Sequence, residues 1–507
     1  MATSRSRHAA QNMAAGILYK ICSVSFPFII RTLMINKLGA EYLGLSNLFS
    51  SILQVLSLAE LGFGSAIVFS MYKPIAENNN ELLCALYGFY RKVYRIIGGV
   101  VLVIGLFIMP LLPYMIKGNY PNDINLYVLY IIYLGNTVIS YWMFAYKESL
   151  LTAHQNSDVS YKIATAATLG MYVLQIISLI FIQNYYVYII FLPLFTIIIN
   201  IIRSRVVDKM YPEIVCRGEL SKEEKAGLYK RIIGLLLFKI SGICRNSFDS
   251  IVLSAFLGLI ILTKYQNYFC ILTAVVGILA IVHDSITAGI GNSIAAESIE
   301  KNYRDFNVLY LIFNWIAGWC TVCLICLYQP FIELWVGEEF LFPFYMVILF
   351  GIFFYTQQIG NVVTLYRQAS GLWWEDKARP IMEAISNLVL NVLSVKYLGA
   401  MGVLLSTIIT IVFLNLPWAS HVLFKHYFKM RAGEYWLKMM IGSIPVIIAT
   451  VATYAVCQLV GEHGIFALLC RGIICCIIPN IIFFVIYFKN NDFKRATDIV
   501  KRAVKAK

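Results

Sequence analysis

The stretch YYVYIIFLPLFTIIINII, Tyr185 to Ile202, runs straight into RSRVVDK, Arg203 to Lys209. An uncharged apolar segment close to the roughly 20 residues that span hydrocarbon, closed by a cluster of cations, reads as a transmembrane helix ending at the cytoplasmic surface. Towards the N-terminus, similar runs cover Met13 to Asn36, Tyr42 to Tyr72, Val93 to Ile116, Ile124 to Tyr146 and Tyr161 to Ile182. Towards the C-terminus they cover Ile232 to Gly258, Tyr265 to Ile290, Phe306 to Tyr328, Leu341 to Leu365, Ile381 to Val395, Ala400 to Phe424, Met439 to Leu459 and Ile465 to Phe488. Hydrocarbon offers backbone amides no partner, so these runs are expected to be helices, and their length excludes a barrel of short alternating strands. The expected fold class is an all-α integral membrane protein with about 14 transmembrane helices.

The charges orient that array. With the N-terminus in the cytoplasm, inner segments hold 32 of the 41 Lys and Arg and outer loops only four, Lys37, Lys117, Lys264 and Lys396. The positive-inside rule then places both termini in the cytoplasm. A net charge of +14 needs no nucleic acid to explain it, because it follows from membrane orientation and attraction to anionic lipid. The first run is span-length with no small-residue cleavage site after it, so it reads as a retained helix rather than a signal peptide. Almost all of the 12 cysteines fall in spans. Cys320, Cys323 and Cys326 recur at i, i+3, i+6 and read as small packing residues; neither a metal site nor a cofactor is expected.

An internal repeat organises the chain. At an offset of 220 residues Asn47 and Phe49 fall on Asn267 and Phe269, and Tyr146 and Lys147 on Tyr366 and Arg367. The same offset carries each helix onto the one six places later, as two six-helix lobes require. The expected organisation is an N-lobe at 1–202, a cytoplasmic linker at 203–231, a C-lobe at 232–424, two further helices at 425–488 and a basic cytoplasmic tail at 489–507. Ser221 and Glu224 form a capping box expected to open a short surface helix over Lys222 to Arg231. Lobes of this kind rock against each other around a shared cavity.

Ionisable residues inside spans mark what that cavity handles. Lys239, Arg245, Asn246 and Asp249 occupy, with Gly242, an arc of about 120 degrees on the seventh helix. An ionised group at mid-membrane costs roughly 2.5 to 3.5 kcal/mol, so three on one helix imply a wet cavity or close partners. Other spans add Arg31, Glu60, His283, Asp284 and Arg471. Lys20 and Lys264 lie near span ends and read as snorkelling cations. Glu383, Asn387 and Asn391, at i, i+4, i+8, read as an interhelical seam.

Three segments resemble Wzx-type polysaccharide flippases: Arg31-Thr-Leu-Met-Ile-Asn-Lys-Leu-Gly-Ala-Glu-Tyr-Leu-Gly-Leu, Leu58-Ala-Glu-Leu-Gly-Phe-Gly-Ser-Ala-Ile, and Pro380-Ile-Met-Glu-Ala-Ile-Ser-Asn followed by Tyr397-Leu-Gly-Ala-Met-Gly-Val. These belong to the multidrug/oligosaccharidyl-lipid/polysaccharide (MOP) exporter superfamily. The resemblance implies a V-shaped, MATE-like pair of six-helix lobes plus two C-terminal helices. It also implies export of an undecaprenyl-pyrophosphate-linked oligosaccharide across the bacterial cytoplasmic membrane by alternating access. The pathway's polymerase and glycosyltransferases are the partners it implies beside the lipid-linked substrate and membrane lipids.

A pyrophosphate suits Arg and Lys in a low-dielectric cavity, Arg through bidentate bonds and Lys as a point charge. Placement within the spans therefore puts Arg31, Lys239, Arg245 and Asn246 on the substrate, with Glu60, Asp249 and Asp284 tuning those cations or carrying a coupling proton. A MATE-like drug/cation antiporter is the first rival, but it would present carboxylates to a cation, whereas the seventh helix offers two cations against one acid. A membrane polymerase or ligase is the second. Catalysis would need a sizeable outer loop, and the longest here, near Gln329 to Phe340, is about a dozen residues. No nucleophile–base set accompanies it, and the chain is not expected to be an enzyme.

Overall fold

Long apolar runs with few internal breakers leave the backbone only its own amides as partners. The computed structural model describes residues 2–60, 62–461 and 464–505, and these form helices without a strand. The chain divides into two compact units, Met1–Thr263 and Lys264–Lys507.

The first unit contains α1 (Ala2–Lys37), α2 (Ala40–Leu56), α3 (Phe63–Ala76), α4 (Asn80–Ile108), α5 (Leu126–Trp142), α6 (Glu148–Ala153), α7 (Ser157–Ile177), α8 (Tyr185–Met210) and α9 (Lys222–Leu257). The boundary falls in α10 (Leu259–Ala296). The second unit continues with α11 (Ile299–Val336), α12 (Phe344–Ile359), α13 (Asn361–Ala369), α14 (Arg379–Thr410), α15 (Leu416–Leu423), α16 (Gly433–Cys457), α17 (Ile465–Tyr487) and α18 (Asn491–Lys505).

Among the described residues, ten helices are long and apolar enough to cross a membrane, or eleven if α5 and α6, bent by 46° at their junction, count as one span. The protein is therefore a multi-pass membrane protein. Two features, besides the absence of α9 from these candidates, reconcile eleven with the fourteen apolar runs. The second run is broken into α2 and α3 by a tight turn at Ser57–Glu60. The eleventh and twelfth runs lie in one continuous helical stretch, Arg379–Phe428, interrupted at Gly399 with φ 58° and ψ −139°. Ser394 and Ser406 hydroxyls meet at 2.9 Å and Asn387 donates to Thr407 Oγ1 at 3.0 Å, so the chain folds back on itself at Gly399.

The repeat recurs in both units. Phe49 packs on Tyr130 and Tyr133 with ring centroids 5.5 Å away in each case. At the same offset of 220, Phe269 packs on Phe350 and Phe353 at 6.2 and 5.6 Å. Each unit breaks the corresponding helix, at Phe144 in left-handed geometry and at Gly360. The equivalent ends carry buried cations with acid partners: Lys147 with Asp208 at 2.5 Å, and Arg367 with Asp376.

One expectation is corrected at α9. Ser221 does cap Glu224, and the Glu224 carboxylate accepts from the Ser221 amide at 2.7 Å. The helix it opens does not stop at Arg231 but runs unbroken to Leu257, because Leu228 and Ile232 are buried and no proline intervenes. The repeat makes α9 the counterpart of α1, and α9 lies within the first compact unit, Met1–Thr263. Close backbone approach explains this. A Cβ on Gly62 would stand 2.3 Å from the Ile232 carbonyl oxygen, and one on Gly258 2.8 Å from that of Lys117. The Lys117 amide also donates to the Ser254 carbonyl at 2.9 Å.

Candidate functional site

Polar side chains inside an apolar bundle gather where they can share hydrogen bonds and water. On α5, Tyr133, Asn136, Thr137, Ser140 and Tyr141 follow i, i+3, i+4, i+7, i+8 and form one stripe. On α2 and the turn after it, Asn47, Ser50, Gln54 and Ser57 form a second. The α5 stripe, with Ser50, Gln54 and Ser57 of the second, lines a cavity of about 420 Å³ in the first unit, with Glu60 also in its lining and Leu53 and Leu192 as its apolar walls. Tyr133 donates to Ser46 at 2.8 Å, and Thr196 of α8 donates to Asn136 at 2.7 Å.

Glu60 anchors a relay at this cavity. The Tyr94 hydroxyl donates to its Oε1 at 2.6 Å and receives a bond from Tyr90 at 2.7 Å. Both tyrosines sit one turn apart on α4, and the Tyr94 ring meets Tyr141 edge-on at 5.6 Å. Sequence reading singled out Glu60 for its charge and passed over its uncharged partners. The i, i+4 spacing of Tyr90 and Tyr94 and the α5 stripe were the signals that could have found them.

The remaining expected site residues divide by environment. Arg31 of α1 is partly buried and its Nη1 lies 3.5 Å from Asn47 Oδ1, at the start of the α2 stripe. Arg245 and Asp249, one turn apart on α9, are 7% and 1% exposed and are engaged by neighbouring groups. Between them Ser247 donates to Gln54 at 3.1 Å, which ties α9 to a cavity-lining residue. Asn246 is exposed. The side chains of Lys239 and Asp284 lie outside the described residues. The structure thus assembles Arg31, Glu60 and the Ser247 segment of α9 along one polar seam. It buries Arg245 and Asp249 in packing and sets Asn246 apart from them.

The stripe Glu383, Asn387 and Asn391 forms the expected seam. All three are fully buried, with Arg379 Nη1 donating to Glu383 at 3.0 Å and Asn415 at 2.6 Å. Lys264 reaches the Glu339 carbonyl at 3.3 Å and lies over the Phe342 ring, the posture of a cation at a span end.

No family model matches the sequence, and no curated relative does. Solved structures do, and what they share with this chain is the fold. The lipid II flippase MurJ in an inward closed conformation is similar over 94% of this chain and 98% of its own, with a TM-score of 0.68 at 15% identity. An inward-facing multidrug resistance MATE family transporter is similar over 78% of this chain and 91% of its own, with a TM-score of 0.61 at 15% identity. A Vibrio cholerae MATE transporter gives 84%, 99%, 0.55 and 15% for the same measures.

Proposed function

We propose that this protein flips an undecaprenyl-pyrophosphate-linked oligosaccharide across the bacterial cytoplasmic membrane by alternating access, with both termini in the cytoplasm. The observation that carries the reading is the extent of the likeness to a lipid flippase. Coverage of 94% leaves about 30 of 507 residues unmatched, fewer than the segment beyond 424 contains, so part of that segment is matched as well. The MATE transporters are similar over 78% and 84% of the chain. Charge supports an anionic substrate: Arg31 lies along the polar seam of the first unit, and guanidinium groups suit pyrophosphate. Glu60, with its tyrosine relay, is the group proposed to carry a coupling cation or proton. The cycle is conformational and leaves the substrate's covalent structure unchanged.

A null strain should accumulate the complete lipid-linked oligosaccharide on the cytoplasmic leaflet. Purified protein in proteoliposomes should move a fluorescent lipid-linked oligosaccharide to the opposite leaflet. A truncated oligosaccharide in the null strain, or its elongation by the purified protein, would make the chain an enzyme. Efflux of cationic dyes without movement of the lipid would favour a drug antiporter.

A further inference from the structure

Cysteines from three helices converge in the second unit. Cys326 of α11, Cys457 at the end of α16 and Cys475 of α17 are 4%, 2% and 0% exposed, and their sulfurs lie within 4.8 Å of one another. None is in a disulfide. Bonds of about 2.3 Å from sulfur to a d10 cation place three ligating sulfurs about 4 Å apart, so closure needs only side-chain adjustment. The surroundings are built as a ligand shell is. Trp319 donates its indole N–H to the Cys475 carbonyl at 2.9 Å, and the Cys323 thiol lies 3.9 Å from the same oxygen, fixing α17 against α11.

A cation already stands beside the cluster. Arg471 is 8% exposed and one turn before Cys475 on the same face of α17. Its Nη2 reaches the Val460 and Gly461 carbonyls at 3.3 and 3.4 Å, just past Cys457, while its Nε makes no hydrogen bond among the described residues.

We propose that Cys326, Cys457 and Cys475 form a trithiolate site for a thiophilic divalent d10 cation, with Arg471 offsetting its charge. On binding, three S–H bonds break, three protons leave to water and three metal–sulfur bonds form. The resulting complex carries one negative charge, which the guanidinium opposes, so the buried site is neutral as a whole. Convergence of three thiols from separate helices favours an ion over a disulfide, which would use two sulfurs and leave the third beside it. The ion would pin the α16–α17 hairpin to α11.

The test uses the full-length protein, purified reduced and free of chelator, with Zn2+ and Cd2+ as probes. Mass spectrometric metal analysis should find one Zn2+ retained per chain. Titration with Cd2+ should develop sulfur-to-metal charge-transfer absorption that saturates at the same ratio. Cys326→Ser, Cys457→Ser and Cys475→Ser should each abolish the band, and Cys320→Ser should keep it. Should a variant fail to fold, Cd2+ added to the unmutated protein should protect these three thiols from alkylation. The proposal is overturned by a band that survives all three substitutions, by reduced protein that neither binds Cd2+ nor gains protection, or by a native disulfide between any two of them.

Discussion

At the scale of single residues, the Glu60 relay and the α9 charges behave differently. Glu60 accepts from Tyr94 at the edge of a cavity, so its charge is available to a cation or proton there. Glu60→Gln should keep the acceptor and the shape while removing the charge. Transport in the proteoliposome assay is expected to fall at least tenfold with membrane level unchanged, and normal transport would remove Glu60 from coupling. Tyr94→Phe leaves Tyr90 without its acceptor, a loss of about 1 kcal/mol that a thermal melt should register as a small fall in Tm. Arg245 is buried, so Arg245→Ala should lower both transport and melting temperature, mixing two effects. Arg245→Lys separates them: the charge stays, bidentate bonding is lost, and partial transport is expected from a protein of near-normal stability. The charges of this region were legible in the sequence because a cation in a span is conspicuous. The tyrosine relay and the α5 stripe were not, because tyrosine and serine are common in spans and only packing shows which of them face one cavity.

At the scale of elements, a few backbone positions decide what apolar patterning leaves open. Gly399 lets two spans follow each other without a loop, in a conformation that L residues rarely adopt. Gly402 stands with its would-be Cβ 2.6 Å from the Ser394 carbonyl oxygen. Gly399→Ala should therefore cost about 1–3 kcal/mol of backbone strain, read as a lower melting temperature in detergent. A control, Gly472→Ala, has open space at its Cβ and ordinary helical geometry, and should melt like the parent. The capping box at Ser221 was readable as a helix start because its chemistry is local. Where that helix stops was not, since burial of Leu228 and Ile232 by distant parts of the chain carries it on to Leu257.

At the scale of the molecule, the alternation of basic and uncharged segments sets orientation. Single cysteines replacing Asn119 and Glu338 should react with an impermeant thiol reagent from outside sealed cells, in a background cleared of accessible cysteines. Cysteines replacing Glu77 and Lys222 should not. All four positions are exposed, so failure to label reports sidedness rather than burial. Labelling of the second pair would reverse the topology. Much of the architecture was written in the chain itself: helices in a membrane follow from hydrocarbon's refusal to hydrogen-bond. Tertiary structure alone decided that α9 packs with the first unit, that Tyr94, backed by Tyr90, donates to Glu60 and that three cysteines far apart in sequence share one point. Those outcomes depend on which helix faces meet, and helix faces in an apolar solvent are sorted by close backbone approach and polar pairing between distant residues, which no local pattern records.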